Sequence, residues 1–213
     1  MNHEIFIALE RDFTWRQHEL YEAKSILRTV NKHEHQKKVM QRALIVLLYA
    51  HFEGFVKYCL TQYLDYICKS SDAKAITLKD ELIVYSLKKR FSSLQGKSSL
   101  DNRIDFVNKI KEVFVLPLSL DDETIDTKSN LKSVVLNELF QELGIHLEID
   151  RQKLKDIDTL VHRRNSVAHG ENISMLKDEE FYKLEEGILF VMEEIASAIE
   201  GCIKQRLYIK QVN

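Results

Sequence analysis

The chain has 213 residues, of which 45% are hydrophobic and 30% charged, and its formal net charge is −2 from 31 basic and 33 acidic side chains. This is an ordinary globular balance. It excludes a polybasic protein whose whole surface attracts nucleic acid, but leaves room for a local basic cleft. One proline and six glycines in so long a chain predict long helices joined by polar turns.

The first predicted helix covers residues 4–30, with Ile5, Leu9, Phe13, Leu20, Ile26, Leu27 and Val30 on its apolar face and Trp15 in the core or at an interface. The second covers 34–69. Its middle, ALIVLLYAHFEGFVKYCL, is apolar nearly all round, which predicts a central helix surrounded by others. Within it, His51 reads as a satisfied core histidine. Glu53 is a carboxylate among Leu, Phe and Val that needs a partner. Gly54 costs about 1 kcal/mol against Ala in mid-helix, so close packing is expected there.

A polar connector, 70–76, leads to a third helix over 78–94, started weakly by Thr77 and Asp80 and broken by QGKSS. A fourth covers 100–114. VFVLPL (113–118) is β-like but interrupted by Pro117. The acidic loop 117–128 contains DDETID, which lacks the glycine and the spaced Glu of a calcium loop. Ser129 or Asn130 is expected to cap a fifth helix, 130–143, ended by Gly144. The sixth covers 150–169 and the seventh 176–208, the latter with Phe181, Leu184, Ile188, Leu189, Val191, Met192, Ile195, Ile199 and Ile203 inward. The expected fold is therefore all-α: an up-and-down helical bundle in a single domain, 1–213. Helices three to five form an insertion between the central helix and the sixth.

Cys59, Cys68 and Cys202 are odd in number and form no Cys-x-x-Cys, which predicts a reducing compartment. The start, MNHEIFIALERDF, carries acids early and is not expected to be a signal peptide. The most apolar run, Ala43–Ala50, reads as too short to span a bilayer. The expectation is a cytoplasmic protein without a membrane partner.

The sixth helix holds the chemistry, in LVHRRNSVAHGE (160–171). Asp150 is its expected N-cap and Gly170 its C′ residue. Leu154, Ile157, Val161 and Ala168 mark an apolar stripe in which position 164 is an arginine. A guanidinium there must be paired, because burying it alone costs several kcal/mol, and Glu53 is the expected partner. His162, Asn165 and His169 share a second face. Arg164 and His169 are offset by about 140° at roughly 100° per residue, yet long side chains can converge at a helix end. An arginine holds a phosphate and a histidine moves protons near neutral pH. A histidine at a helix C-terminus is also a favourable charge–dipole placement with no chemistry. If Arg164 is tied to Glu53, Arg163 is the alternative phosphate ligand. No phosphate-binding Gly-rich loop, HExxH, metal-ligand spacing or Gly-x-Ser-x-Gly elbow occurs, so no metal and no cofactor is expected.

Arg164-Asn165-Ser166-Val167-Ala168-His169 resembles the Arg-x4–6-His hallmark of the HEPN superfamily, α-helical bundles whose active members are metal-independent endoribonucleases. The closer resemblance is to small stand-alone bacterial RiboL-PSP-type HEPN proteins, in three blocks: YAHFEGFVKYCL (49–60), SNLKSVVLNELFQELGI (129–145) and LVHRRNSVAHGE. The resemblance implies a homodimer whose motifs meet in a composite cleft. In it, His169 works as acid and base around 2′-hydroxyl attack, Arg164 holds the phosphate or orients the site, and Asn165 positions the phosphate or His169. Glu53 tethers Arg164, with His162 and Arg163 in support. The implied products carry 2′,3′-cyclic phosphate and 5′-hydroxyl ends. The implied partners are RNA and an antitoxin or neighbouring defence-system protein, in a toxin–antitoxin, phage-defence or RNA-processing role. Two other readings stay open: a non-catalytic HEPN module that binds a partner protein or nucleotide, and a purely structural helical interaction protein.

Overall fold

The computed structural model describes residues 2–30, 33–70, 74–88, 91, 94, 99–115 and 125–211. Residues 95–98 of the QGKSS break and 117–124 of the acidic loop lie outside this set, as do 89–90 and 92–93 of the third expected helix. Among the described residues there are seven helices and no strand: α1 (Asn2–Thr29), α2 (Glu34–Lys69), α3 (Asp80–Ser86), α4 (Leu100–Val115), α5 (Ser133–Glu142), α6 (Arg151–Ala168) and α7 (Asp178–Lys204). The all-α bundle expected from the sequence is what forms. The β-like reading of 113–118 fails where it can be seen, since Val113–Val115 close α4.

The bundle is built around α2, which packs against α1, α6 and α7. Leu48, Phe52, Phe55, Val56, Cys59, Leu60 and Tyr63 of α2 are fully enclosed. They meet Leu9 and Leu20 of α1, Ile157, Leu160 and Val161 of α6, and Ile188, Val191, Met192, Ile195 and Ile199 of α7. Of the insertion, α3 and α5 join this core through Leu82, Tyr85, Leu136, Leu139 and Phe140. Val113 and Ile110 of α4 form a separate small cluster with Ala75, Ile83 and Leu87.

Two expectations about apolar faces need correction. Ile26 is half exposed, outside the α1 stripe. α2 is not enclosed all round. Val39, Ala43, Val46 and Ala50 recur at steps of four, three and four on a face open to solvent, Val39 being 65% and Val46 40% exposed. α2 is also long and apolar enough, by length and composition, to cross a membrane, contrary to the estimate from Ala43–Ala50 alone. Yet 56% of its apolar window is buried within the bundle, as expected for a core helix.

Three ends are closed by the same device. After α5, α6 and α7 a residue in the left-handed region reverses the chain: Gly144 (φ 64°), Gly170 (φ 72°) and Arg206 (φ 54°). The following amides then bond back, Ile145 to Phe140, Glu171 to Ser166 and Leu207 to Cys202, each at 2.9 Å, the Schellman pattern. The last turn returns the chain to α3, with Lys79 N–H donating to Tyr208 and Lys210 N–H to Thr77. α7 therefore ends at Lys204, short of the expected 208.

α1 and α2 are joined by a buried polar cluster. Arg16 donates to Asp12 at 2.6 Å and to the His51 carbonyl at 3.3 Å. A Cβ at Gly54 would come within 2.8 Å of its guanidinium, so Gly54 makes room for a side chain rather than for a helix backbone. His51 is buried with Nε2 2.9 Å from Glu19. Trp15 is not a core residue. It is 48% exposed, lies edge-on to His51, and donates its ring N–H to Asp12.

Of the eight histidines only His51 is buried. Burial pushes it below its ordinary value, with Arg16 adding to the shift and Glu19 and Asp12 opposing it. The folded protein thus holds His51 neutral where the unfolded chain charges it. Its contribution to stability is full above the unfolded value of about 6.5 and is lost as pH falls through that value toward the folded one. The urea midpoint is expected to fall from pH 7.5 to 5.5 more steeply in wild type than in His51→Gln. Equal slopes would show that His51 does not titrate on unfolding.

Candidate active site

α6 starts and stops on local signals. Asp150 accepts from the Gln152 and Lys153 amides at 2.7 and 3.1 Å, a side-chain N-cap. At the other end His169 is the C-cap and Gly170 turns the chain. Arg42 reaches across from α2 and donates to the carbonyls of Glu171 (2.7 Å) and Val167 (3.3 Å). It thereby adds side-chain donors from α2 to the turn that ends α6. The final turn, which carries Asn165 to His169, is held by another helix. Ala168 is exposed rather than part of the core stripe, because this turn extends past the packed part of the bundle.

Arg164 occupies the core-facing position that its spacing indicated, but not with the expected partner. Its guanidinium carbon lies 3.9 Å from the centroid of the Tyr49 ring. Nη2 donates to the Ser129 carbonyl at 3.0 Å, and Nε is buried without a hydrogen bond. Glu53 lies one turn beyond Tyr49 on α2. It instead accepts a short hydrogen bond from the buried Thr127 hydroxyl and pairs with Lys57 at 3.4 Å. The Glu53–Arg164 tether is therefore corrected: the arginine charge is stabilised by an aromatic face and a carbonyl dipole, and among the described residues no carboxylate is bonded to it.

The segment 125–131 makes this possible. Ile125, Thr127 and Leu131 are buried anchors, while Lys128 and Ser129 both take left-handed φ (54° and 53°), which costs non-glycine residues about 1–2 kcal/mol each. The bend aims the Ser129 carbonyl at Arg164 and places Asn130 Oδ1 3.1 Å from Asn165 Nδ2. Tyr49 spans the same junction, its hydroxyl accepting the Leu131 amide at 2.9 Å. Burial, the largest influence, pushes the Tyr49 phenol up, and Arg164 opposes the shift. Ser129 and Asn130 are thus site residues rather than helix caps. α5 begins at Ser133, where Asp158 of α6 accepts from the Ser133 amide (2.9 Å) and hydroxyl (2.8 Å).

Sequence reasoning missed Tyr49, Arg42, Ser129 and Asn130. Tyr49 is one aromatic among many in an apolar helix, and Arg42 looks like a surface charge. Of the predicted residues, Arg164 and Asn165 meet at the 125–131 segment. His169 is exposed on the adjoining outer face, its imidazole without a hydrogen bond among the described residues. His162 is exposed and Arg163 half-buried, its Nη1 donating to the Ser174 carbonyl at 3.1 Å. Both line a different cavity, on the side of α6 away from Tyr49.

Residues 7–208 match the family model HEPN_MAE_28990-like HEPN. The chain belongs to the HEPN family. No curated protein matches it, and neither does any solved structure. Arg164, Asn165 and His169 lie at the C-terminal end of α6 within the bundle.

Tyr49 ties this cluster together, with its ring under Arg164 and its hydroxyl on the Leu131 amide. Tyr49→Phe keeps the ring under Arg164 but leaves the buried Leu131 amide unpaired, an expected loss of about 1–3 kcal/mol. Tyr49→Leu is expected to lose about 0.5–2 kcal/mol more with the cation–π contact. Urea unfolding of the two variants checks this, and equal losses would mean that the ring face contributes nothing.

Proposed function

We propose that this HEPN protein is a metal-independent endoribonuclease, active as a homodimer in the cytoplasm and serving as a toxin or defence ribonuclease. The observation that carries the reading is the state of Arg164. Its charge is held at the protein boundary by Tyr49 and the Ser129 carbonyl, uncancelled by any bonded carboxylate among the described residues, one turn from an exposed histidine. A cation kept in that condition suits a phosphodiester.

In the proposed reaction a His169 imidazole removes the proton of the ribose 2′-hydroxyl. The 2′-oxygen attacks phosphorus, the bond to the 5′-oxygen breaks, and an imidazolium returns a proton to that oxygen. The ends are a 2′,3′-cyclic phosphate and a 5′-hydroxyl, and no oxidant or reductant enters. Arg164 neutralises charge on the phosphoryl oxygens, and Asn165, fixed by Asn130, positions the phosphate. Within one subunit Arg164 and His169 leave α6 about 140° apart, which favours a cleft built from two copies. The open stripe Val39–Ala43–Val46–Ala50 has the four–three–four spacing of a helix–helix seam. Ala43, Val46 and Ala50 of this stripe line an apolar groove of about 510 Å³ together with Met40, Leu47 and Val167 of α6, so a second α2 seated there would lie beside both motifs. Within the superfamily we place the chain beside the RiboL-PSP-type proteins on the three sequence blocks, with an antitoxin or defence-system protein as a further partner.

A non-catalytic module that binds nucleotide or protein is the second reading. It is favoured by one observation: nothing among the described residues orients the His169 imidazole.

His169→Ala is expected to abolish RNA cleavage with an unchanged melting temperature, and EDTA is expected to leave wild-type cleavage intact. Folded wild type that cuts no RNA pool and harms no bacterial host would move the assignment to the binding module, and a metal requirement would sink the mechanism. Val46→Glu is expected to convert a dimer to a monomer in light scattering and to lower cleavage at least tenfold. A fully active monomeric variant would remove the composite cleft.

A further inference from the structure

The outer face of α6 carries a second feature that this reaction does not use. Lys155, Asp158, Thr159, His162 and Arg163, together with Ile173 and Ser174 of the following turn, line a cavity of about 630 Å³. Lys155 and His162 are exposed and have no hydrogen bond or ion pair among the described residues. Arg163 is steered into the wall by its bond to the Ser174 carbonyl. The one carboxylate there, Asp158, accepts a hydrogen bond from Ser133 on each oxygen, and its single negative charge is outweighed by Lys155 and Arg163. The free donors are thus an ammonium, a guanidinium edge, an imidazole and a hydroxyl, above the apolar Ile173. This donor set suits an oxyanion ester better than a cation or an apolar group. The cavity lies along the same helix face as His169. His162 and His169 are seven residues apart, about 10 Å along the axis, so a strand running along that face from His169 crosses the cavity.

We infer that this cavity is a second phosphate subsite, holding a backbone phosphate of single-stranded RNA beside the one that is cut. The inference rests on the ribonuclease reading and adds to it where the strand runs.

The test uses a labelled single-stranded RNA with 2′-O-methyl riboses, which lacks the attacking hydroxyl and stays whole. Its affinity for wild type, Lys155→Ala and His162→Gln is measured across salt concentrations. Both substitutions are at exposed positions, and both proteins are checked by thermal melting. Lys155→Ala is expected to bind about three- to tenfold more weakly at low salt, with the slope of log affinity against log salt shallower by about 0.7, one single-strand phosphate contact. His162→Gln is expected to weaken binding in the same direction, through loss of the ring donor. Tight binding to wild type with affinity and slope unchanged in both variants would overturn the subsite and leave the ribonuclease reading standing. Failure of wild type to bind the RNA or cut its unmodified counterpart would overturn both. AMP that raises the melting temperature of wild type but not of Lys155→Ala, with RNA affinity equal in the two, would assign the cavity to a free nucleotide and overturn the RNA assignment.

Discussion

The constraint on which the rest depends is a guanidinium in a core-facing position. Arg164 stands where a leucine would pack, and its charge must be stabilised without being cancelled. A carboxylate at that point would supply Coulombic attraction but leave a neutral pair, with the net gain offset by desolvation of both ions. An aromatic face at 3.9 Å and a backbone carbonyl at 3.0 Å do less for stability. A cation–π contact is worth about 0.5–2 kcal/mol, and the unbonded, buried Nε works against it. What they preserve is an unneutralised cation. Tyr49 must therefore be presented by α2 at that level, and the 125–131 segment must adopt two consecutive left-handed residues to bring its carbonyl there.

That bend is held because its neighbours are anchored independently. Thr127 is pinned by Glu53, Leu131 by Tyr49, and the start of α5 by Asp158 from α6. A strained turn persists only where its surroundings over-determine it, and here three hydrogen-bonded anchors from α2 and α6 do so. The end of α6 is fixed on its far side by Arg42. The motif turn thus sits between two clamps, one from α2 directly and one from α2 through the insertion. Displacing α2 would disturb the arginine and the histidine together.

How much of this the chain displays in one dimension follows from the range of each interaction. Asp150 and Gly170 act within a few residues of themselves, so their roles as cap and C′ residue were legible and hold in three dimensions. Arg164 was also visible, since a charge interrupting an apolar spacing is a local anomaly. Its partner was not. Glu53 is one turn from Tyr49, and which of the two faces Arg164 depends on the axial register of α2 against α6, which no local pattern encodes. Lys57, four residues on, and Thr127, from a connection of unreadable path, were equally able to take the carboxylate. Ser129 and Asn130 are good capping residue types, but the cap of α5 comes from Asp158, twenty-five residues later, and frees them for Arg164 and Asn165. The apolar circumference of α2 predicted enclosure because periodicity reports which residues avoid water and is silent on whether another helix or a second chain covers them.

α6 combines scaffold and site because its faces divide the work. Ile157, Leu160 and Val161 are fully buried and fix the helix in the bundle, and they lie one to two turns before the motif. Asn165 and His169 lie beyond the well-packed part, where a polar residue displaces no core contact. Arg164 stands at the boundary of the two regions, with an aromatic platform beneath it. In the reaction proposed for this HEPN protein the two chemical demands differ accordingly. The charge that binds phosphate needs a fixed, partly desolvated place, where its field is least screened. The group that moves protons needs access to a flexible strand and to water. A core-facing arginine and an exposed C-cap histidine meet those demands from a single helix, at the expense of a direct contact between them that a strand or a second subunit would have to bridge.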